Sequence, residues 1–225
     1  MTNCDMKLRI NSIESFSTKD GEGVRSVVFL QGCHLRCDYC HNPETWDRNG
    51  GEEISAEELA EKVLRFKDYW GENGGVTVSG GEPLLQAKEL LGFLKLLKEH
   101  GVNVVLNTTG TIWNDDVREV VKLCDSFIID EKCKKNFLDE VERQGKKVLV
   151  RIVIIPDVND TEEAIDKYAK TFRKHKVELV PFHTLGFDKY EKLGIDNPLV
   201  GTKAMSIERV RELQGRLNQL LKSGE

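Results

Sequence analysis

The feature of this 225-residue sequence that most constrains its fold is a repeated alternation of short apolar runs with amphipathic segments. The runs are rich in β-branched residues and bounded by turn residues, which predicts buried strands. Between them, apolar residues recur at helical spacing, and the clearest helix start is Ser55, which with Glu58 has the sequence of a capping box. We predict six strands, at residues 26–30, 75–82, 102–108, 126–130, 147–156 and 177–182.

Nearly continuous apolar strands, each followed by an amphipathic helix, are typical of a parallel sheet covered by helices. Six such units are too few for a closed eight-fold barrel. The sequence therefore predicts an α/β protein, a partial (β/α)6 barrel of parallel strands with outer helices, in a single domain over residues 1–225. The chemistry of such folds lies at the carboxyl ends of the strands. We expect residues 187–203 to be a loop-rich passage before the last helix.

Charge and hydropathy exclude several function classes. The chain has 33 Lys and Arg against 38 Asp and Glu, and it has no basic tract, which argues against a nucleic-acid partner. No stretch approaches the roughly 20 apolar residues of a membrane helix, and the first ten residues lack the profile of a secretion signal. We therefore expect a cytoplasmic protein without a membrane partner.

Three of the six cysteines fall within eight residues, directly after the first predicted strand. Cys33, Cys37 and Cys40 have the spacing C-x3-C-x2-C, which is not that of a disulfide framework. Three thiolates can hold three irons of a 4Fe–4S cluster and leave the fourth iron open. An open position is where a substrate or cofactor binds in catalytic metal sites.

Structural zinc is the alternative for this cysteine trio, with His34 or His41 as the fourth ligand. The cluster is favoured because all three cysteines share one loop and because a chain of this size has a core that needs no metal for folding. The remaining cysteines, Cys4, Cys124 and Cys133, are expected to be ordinary thiols. Among them, Cys133 is the one most worth checking, because it follows Lys132.

Several blocks of the sequence resemble those of a known family. The main blocks are residues 17–25 (STKDGEGVR), 31–46 (QGCHLRCDYCHNPETW) and 74–86 (GGVTVSGGEPLLQ), with weaker matches at 130–132, Arg151, 154–156 and 181–186. They are similar to those of the radical S-adenosylmethionine enzymes and, within them, of the activating enzymes of glycyl-radical enzymes. The cysteine spacing is shared across the superfamily, whereas the DGxG-R and YCHNPETW blocks are more specific to the activating enzymes.

The resemblance implies a reaction. In the family the open iron binds S-adenosylmethionine, and an electron from the reduced cluster cleaves the sulfur–C5′ bond to give methionine and a 5′-deoxyadenosyl radical. That radical takes a hydrogen atom from a glycine of the partner, here a glycyl-radical enzyme of the pyruvate formate-lyase type. Flavodoxin or ferredoxin is the usual reductant. The runner-up function is a radical enzyme that acts on a small molecule or peptide.

The resemblance also implies roles for individual residues. Cys33, Cys37 and Cys40 would be the catalytic cluster ligands, and Asp20 would face the glycine loop of the protein substrate. The remaining site residues would contact S-adenosylmethionine. They are Tyr39, Cys40 and His41 on the adenine side, Gly80, Gly81 and Glu82 at the methionine end, and Asn107, Asp130, Glu131, Lys132, Arg151 and His183 at other strand ends or within a strand. Arg151 lies inside a predicted strand, so its charge requires a partner or a polar interior.

Three departures from the family pattern bear on the partner and on cation binding. Asn107 stands where relatives have an aspartate that helps to hold a monovalent cation, so we expect no tightly held cation. Glu22 replaces the usual proline of the DGPG block, and the interval between Asp130 and Arg151 is short. We expect both changes to lie around the mouth of the barrel. A second cysteine cluster, present in several other activating enzymes, is missing, which favours the simple pyruvate formate-lyase type.

Overall fold

The computed structural model describes residues 7–223, and in that range it has eight strands and seven α-helices. The strands are β1 (Lys7–Ser17), β2 (Arg25–Leu30), β3 (Glu52–Ser55), β4 (Gly75–Gly80), β5 (Asn103–Thr108), β6 (Ser126–Ile129), β7 (Lys147–Ile154) and β8 (Lys176–Pro181). The helices are α1 (Ala56–Leu64), α2 (Ala87–Glu99), α3 (Asp115–Leu123), α4 (Lys135–Arg143), α5 (Glu162–Thr171), α6 (Phe187–Leu193) and α7 (Ile207–Ser223).

The fold class is α/β, as predicted, with mostly parallel strands and helices around them. All six predicted strands are confirmed, as β2 and β4 to β8, with bounds that differ by at most two residues at each end. The chain divides into two compact units. The first comprises residues 7–35 and 44–147 of the described range, and the second comprises residues 36–43 and 148–223.

The first unit contains a sheet with the strand order β3-β1-β2-β4-β5-β6. The register between β2 and β4, β4 and β5, and β5 and β6 is parallel, whereas β1 runs antiparallel to both β2 and β3. The sequence did not predict β1 and β3. In β1 only Leu8 and Ile10 are buried, and its other side chains are half-buried or exposed. A partly solvated antiparallel strand of this kind lacks the continuous apolar run by which the buried parallel strands are recognised.

Helix α1 begins where the sequence predicts. The Ser55 side chain accepts a hydrogen bond from the Glu58 amide, and the Glu58 side chain accepts one from the Ser55 amide, so the capping box is confirmed. In α2 the apolar face packs against the sheet unit with Leu90, Leu94 and Leu97 fully buried. The buried face holds α2 against β1 and β5.

The second unit contains the parallel pair β7 and β8, in which Arg151 lies opposite Glu178. Helix α7 packs beside α5 and covers β8. Gln214 of α7 accepts a hydrogen bond from the Leu179 amide at 2.8 Å and donates one to the Val177 carbonyl at 3.0 Å. A side-chain amide thus satisfies backbone groups of β8, which is the last strand of the sheet among residues 7–223.

The expected loop at residues 187–203 is wrong in its first half, because residues 187–193 form helix α6. The helix ends at Gly194, which has a left-handed φ of 65°. The Phe187 ring contacts the rings of Phe182 and Tyr190 at centroid distances of 5.8 and 5.9 Å. The i, i+3 spacing of two aromatic residues before a glycine was the available signal.

Within the described residues, no helix combines the length and apolar character needed to cross a lipid bilayer.

Candidate active site

Cys33 lies on the loop that leaves the carboxyl end of β2, and backbone hydrogen bonds hold that loop. The Cys33 amide donates to the Trp46 carbonyl at 3.4 Å, and the Gly32 amide donates to the Thr45 carbonyl at 2.7 Å. The Glu82 amide donates to the Gly32 carbonyl at 2.9 Å. The beginning of the cysteine loop is therefore joined directly to the GGE turn that follows β4.

Gly80 and Gly81 make this junction possible. Gly80 has a φ of 117°, and a Cβ there would lie 2.2 Å from the Leu30 amide nitrogen. A Cβ on Gly81 would lie 2.2 Å from the Gly32 carbonyl oxygen. The protein's own backbone therefore already requires both glycines. Their contact with the methionine end of the cofactor stays a prediction.

The rest of the cysteine loop belongs to the second unit. Its four predicted site residues are all half-buried: Cys37, Tyr39, Cys40 and His41. The Cys40 amide donates to the Cys37 carbonyl at 3.0 Å, which closes a tight turn. The rings of His41 and His183 stack at a centroid distance of 4.2 Å, and His41 Nε2 lies 3.1 Å from the His183 carbonyl oxygen. Two of the residues predicted to bind the cofactor, from distant parts of the sequence, are thus in direct contact.

Two of the three candidate ligand sulfurs accept backbone hydrogen bonds. The Leu35 amide donates to Cys33 Sγ, and the Asn42 amide donates to Cys40 Sγ, both at 3.4 Å. An N–H group directed at sulfur stabilises the thiolate, which is the form that binds metal. The donor set therefore fits an iron–sulfur cluster: three half-buried thiols, two of them with amide donors.

The histidines of the zinc alternative already have partners. His34 Nε2 lies 3.0 Å from Thr111 Oγ1, and His41 Nε2 contacts His183 as described. Among residues 7–223, no three His, Cys, Asp or Glu side chains are arranged to hold one metal ion. A cluster does not require such convergence, because each thiolate binds a different iron. Zinc bound at Nε2 of either histidine would first have to displace these contacts.

Glu82 is fully buried, and its carboxylate accepts four hydrogen bonds. The Leu84 amide and the Thr108 hydroxyl donate to Oε1 at 3.0 and 2.5 Å. The Thr109 amide and hydroxyl donate to Oε2 at 2.9 and 2.5 Å. The Thr109 hydroxyl also lies 2.8 Å from the Thr111 hydroxyl, which leads to His34. Glu82 therefore anchors the end of β5, and its contact to the cofactor stays a prediction.

The other predicted residues of the first unit lie at neighbouring strand ends. Asn107 of β5 donates from Nδ2 to Ser79 Oγ of β4 at 3.1 Å. Asp130 follows β6, and its Oδ1 accepts hydrogen bonds from the Lys132 amide and from Lys132 Nζ, both at 2.9 Å. Glu131 lies half-buried in the same turn. The parallel register places the carboxyl ends of β5 and β6 side by side.

Arg151 has the partner that its position in a strand requires. Its Nε donates to Glu178 Oε2 on β8 at 2.8 Å, and the two side chains are 26% and 44% exposed. The pair is therefore partly screened by solvent, which limits its contribution to stability. The Arg151 side chain is held in one direction by this bond.

Asp20 lies in the loop before β2, and that loop is held by β4. The Thr77 hydroxyl donates to the Asp20 carbonyl at 2.6 Å, and the Ser17 hydroxyl donates to Asp20 Oδ2 at 2.6 Å. The prediction that Glu22 lies at the mouth of the barrel is wrong. Glu22 precedes the amino end of β2, and its carboxylate lies 3.8 Å from the ammonium of Lys147, the first residue of β7.

Sequence reasoning included Arg25 in the DGxG-R block but gave it no role, and the structure shows that it fixes this loop. The guanidinium is fully buried and donates to the Thr77 hydroxyl at 2.7 Å and to the carbonyls of Glu22, Val76 and Asn103 at 2.9 to 3.0 Å. Burial lowers the pKa of Arg25 to about 10, so the group stays protonated at neutral pH. A charged residue that opens an apolar run was the available signal.

The two described thiols outside the cysteine loop, Cys124 and Cys133, have the raised pKa values expected of ordinary, fully or partly buried cysteines. Burial raises the pKa of Cys124 to about 12, with Asp125 adding to the effect. Burial also raises the pKa of Cys133 to about 12, with contributions from Asp130 and Glu82. Both thiols are therefore protonated at neutral pH and are poor nucleophiles. Cys4 lies outside the described residues.

The fold and the cysteine loop together define a class of protein. Residues 19–149 match the family described as the 4Fe-4S single cluster domain. A radical SAM methyltransferase from Sphaerobacter thermophilus superposes with a TM-score of 0.60 at 15% identity, over 95% of this chain and 74% of that chain. This likeness shows the fold, the partial barrel of radical S-adenosylmethionine enzymes, as predicted. The chain thus has a 4Fe–4S cluster domain and the fold of radical S-adenosylmethionine enzymes, a class in which S-adenosylmethionine is the cofactor beside the cluster.

Relatives with known names narrow the class. The chain is 45% identical over 234 aligned positions to the pyruvate formate-lyase-activating enzyme of Clostridium pasteurianum, covering 95% of this chain and 98% of that relative. It is 36% identical to the pyruvate formate-lyase-activating enzyme of Streptococcus mutans, over 90% of this chain and 88% of the relative. The chain belongs to the pyruvate formate-lyase-activating enzyme family. An iron–sulfur activase is therefore supported over a radical enzyme that acts on a small molecule or peptide.

Proposed function

We propose that this chain, as one domain over residues 1–225, generates a glycyl radical on a partner enzyme of the pyruvate formate-lyase type. The observation that supports this most is the C-x3-C-x2-C loop at the carboxyl end of β2, in a chain 45% identical over nearly its whole length to an enzyme named for activating pyruvate formate-lyase. When bound, the cluster and S-adenosylmethionine supply the electron and the carbon-centred radical that takes a hydrogen atom from the target glycine.

The residues around the cysteine loop bind and orient these groups. Cys33, Cys37 and Cys40 hold the cluster as thiolates, and the amides of Leu35 and Asn42 stabilise two of those sulfurs. On the adenine side, the Tyr39 and His41 rings provide flat apolar area, with His41 held in place by its stack on His183.

The polar ends of the cofactor are bound at the neighbouring strand ends. Gly80 and Gly81 leave room for the methionine amino group, and the turn that Glu82 fixes keeps them in place. The remaining contacts to the cofactor come from residues that the structure places at strand ends or, for Arg151, within β7: Asn107, Asp130, Glu131, Lys132, Arg151 and His183.

Three further features complete the proposal. Asp20, fixed by Ser17 and Thr77, contacts the glycine loop of the partner enzyme. A flavodoxin or ferredoxin supplies the electron. The enzyme acts in the cytoplasm, where three thiols on one loop stay reduced and available for iron.

The test is a glycyl-radical assay under strict anaerobiosis. The reconstituted enzyme is reduced and incubated with S-adenosylmethionine and pyruvate formate-lyase, and the partner's electron spin resonance spectrum is recorded. We expect a glycine-centred doublet, together with 5′-deoxyadenosine in the mixture. Cys37→Ala should abolish both signals, whereas Cys133→Ala, which changes a thiol outside the loop, should retain them.

Two results would contradict the proposal. Zinc without inorganic sulfide in the anaerobically purified protein would remove the radical chemistry altogether. Formation of 5′-deoxyadenosine without a doublet on any glycyl-radical partner would instead identify a radical enzyme with another substrate.

A further inference from the structure

Helix α6 and the residues after it donate three hydrogen bonds to the backbone of the cysteine loop. Tyr190 donates from its hydroxyl to the Cys40 carbonyl at 2.9 Å, and Asn197 donates from Nδ2 to the Asp38 carbonyl at 3.1 Å. Lys189 donates from Nζ to the His41 carbonyl at 2.8 Å. All these residues belong to the second unit, and each of the three bonds ends on a backbone carbonyl oxygen.

The Lys189 contact has a special position because of the peptide group that it reaches. The His41 carbonyl and the Asn42 amide belong to the same peptide unit. Its oxygen accepts a hydrogen bond from the Lys189 ammonium, and its N–H donates to Cys40 Sγ at 3.4 Å. One peptide unit therefore connects a positive charge to a candidate ligand sulfur.

A charged donor on the oxygen polarises a peptide unit and makes its N–H group a stronger donor. Hydrogen bonds to the sulfurs of an iron–sulfur cluster raise its reduction potential, because they stabilise the state with the additional electron. The charge on Lys189 therefore acts on the cluster through the peptide unit.

We propose that Lys189 is a positioning residue that strengthens the Asn42 amide to Cys40 Sγ hydrogen bond and thereby raises the reduction potential of the cluster. This inference rests on the proposed function, in which Cys40 is a cluster ligand. Helix α6, where the sequence predicted a loop, would then affect how readily the cluster accepts an electron.

The surroundings of Lys189 keep the ammonium in place. Tyr190, its neighbour in α6, is 3% exposed and packs against the Phe187 ring, and Asn197 is 7% exposed. Lys189 Nζ also lies 3.3 Å from Asn42 Oδ1, so it contacts the side chain as well as the backbone of the loop. A cation held at both points retains its contact with the carbonyl.

Lys192 is the matched control on the same helix. It is one helical turn away, its side chain is 76% exposed, and it pairs with Asp188 at 3.3 Å. Lys192→Met removes the same charge from α6 but leaves the His41–Asn42 peptide unit with its donor. The comparison therefore separates the proposed route from the general field of a positive helix.

The experiment measures the midpoint potential of the reconstituted cluster by redox titration. For Lys189→Met we expect about a tenfold fall in the ratio of reduced to oxidised cluster at a fixed potential, equivalent to about 59 mV for one electron. Lys189→Arg keeps charge and donors and should restore the wild-type ratio within about twofold, as should Lys192→Met. In the reduced cluster, the magnetic coupling to the exchangeable proton of the Asn42 amide should weaken in Lys189→Met only, because that hydrogen bond to Cys40 Sγ becomes weaker.

Equal shifts of the midpoint potential in Lys189→Met and Lys192→Met, or no shift in either variant, would overturn the inference. The proposed function would still stand in that case if the wild-type protein contains iron and sulfide. A wild-type protein that binds no cluster would end both. If Lys189→Met does not retain a cluster, Lys189→Gln keeps an amide donor without the charge and should give a smaller fall. Hydrogen exchange of residues 36–43 in the apoprotein should be faster in Lys189→Met than in Lys192→Met.

Discussion

Arg25 and Glu82 are fully buried charged side chains, and each one satisfies its charge with hydrogen bonds. Arg25 uses backbone carbonyls and the Thr77 hydroxyl, whereas Glu82 uses two backbone amides and two threonine hydroxyls. A buried charge without such partners would cost several kcal/mol. Arg25 therefore holds the loop before β2, which contains Asp20, and Glu82 holds the turn after β4, which contains Gly80 and Gly81.

Asn107 allows a prediction about cations. It lies beside the turn that starts at Asp130, and its amide is bonded to Ser79 Oγ. We expect the affinity for S-adenosylmethionine to differ by less than about twofold between potassium, sodium and choline salts, because one carboxylate charge is missing from the site. Isothermal titration of the anaerobic, cluster-loaded protein measures this.

Asn107→Asp is the matching gain-of-function variant. It restores a second carboxylate beside Asp130 and should make the affinity depend on potassium or sodium. A strong cation dependence in the wild type would contradict the expectation.

At the scale of elements, the sequence predicts the strands better than it predicts helix α6, which binds the cysteine loop. The β2 and β4 runs are apolar and continuous, so their carboxyl ends could be placed within two residues. Helix α6 has seven residues with one buried side chain, Tyr190, and its stability comes from the contacts of the folded chain rather than from a periodic apolar face. Contacts such as Tyr190 to Cys40 join residues about 150 positions apart, and no local pattern records them.

The junction between the cysteine loop and the GGE turn gives a stability prediction. In Gly81→Ala, the new Cβ would lie 2.2 Å from the Gly32 carbonyl and 3.1 Å from the Thr45 carbonyl, so backbone must move. We expect the free energy of unfolding of the apoprotein to fall by about 1–3 kcal/mol. Urea unfolding measures this, and reconstitution should show reduced iron retention.

Gly215→Ala is the control for this variant. Gly215 lies in α7, and a Cβ there would have no atom within 4 Å. Replacing a helical glycine by alanine should raise the free energy of unfolding by up to about 1 kcal/mol. If Gly81→Ala proved as stable as Gly215→Ala, the close approach of the two loops would be refuted.

At the scale of the whole molecule, the alternation of strands and helices was sufficient to predict the α/β class and the six parallel strands. The antiparallel strands β1 and β3 were missed because a partly solvated strand is encoded by alternation, which charged residues such as Arg9 and Glu53 obscure. The cysteine spacing predicted the kind of cofactor. The hydrogen bonds that Lys189 and Tyr190 donate to the backbone of the cysteine loop follow only from the tertiary structure.

Loading with the cluster should stabilise the entire chain, because a group that binds only the native state shifts the unfolding equilibrium. A group present at about 100 times its Kd stabilises the native state by about 2.7 kcal/mol. In a chain of this size, we therefore expect the thermal midpoint of the anaerobic, cluster-loaded protein to exceed that of chelator-treated protein by about 5–10 °C. Differential scanning calorimetry of the two forms measures the difference. Cys133→Ser changes a thiol that is half-buried but outside the loop, so it should keep the difference, whereas Cys37→Ser should abolish it. Equal midpoints for the loaded and chelated wild type would show that the thiols of the loop bind no group that matters to the native state.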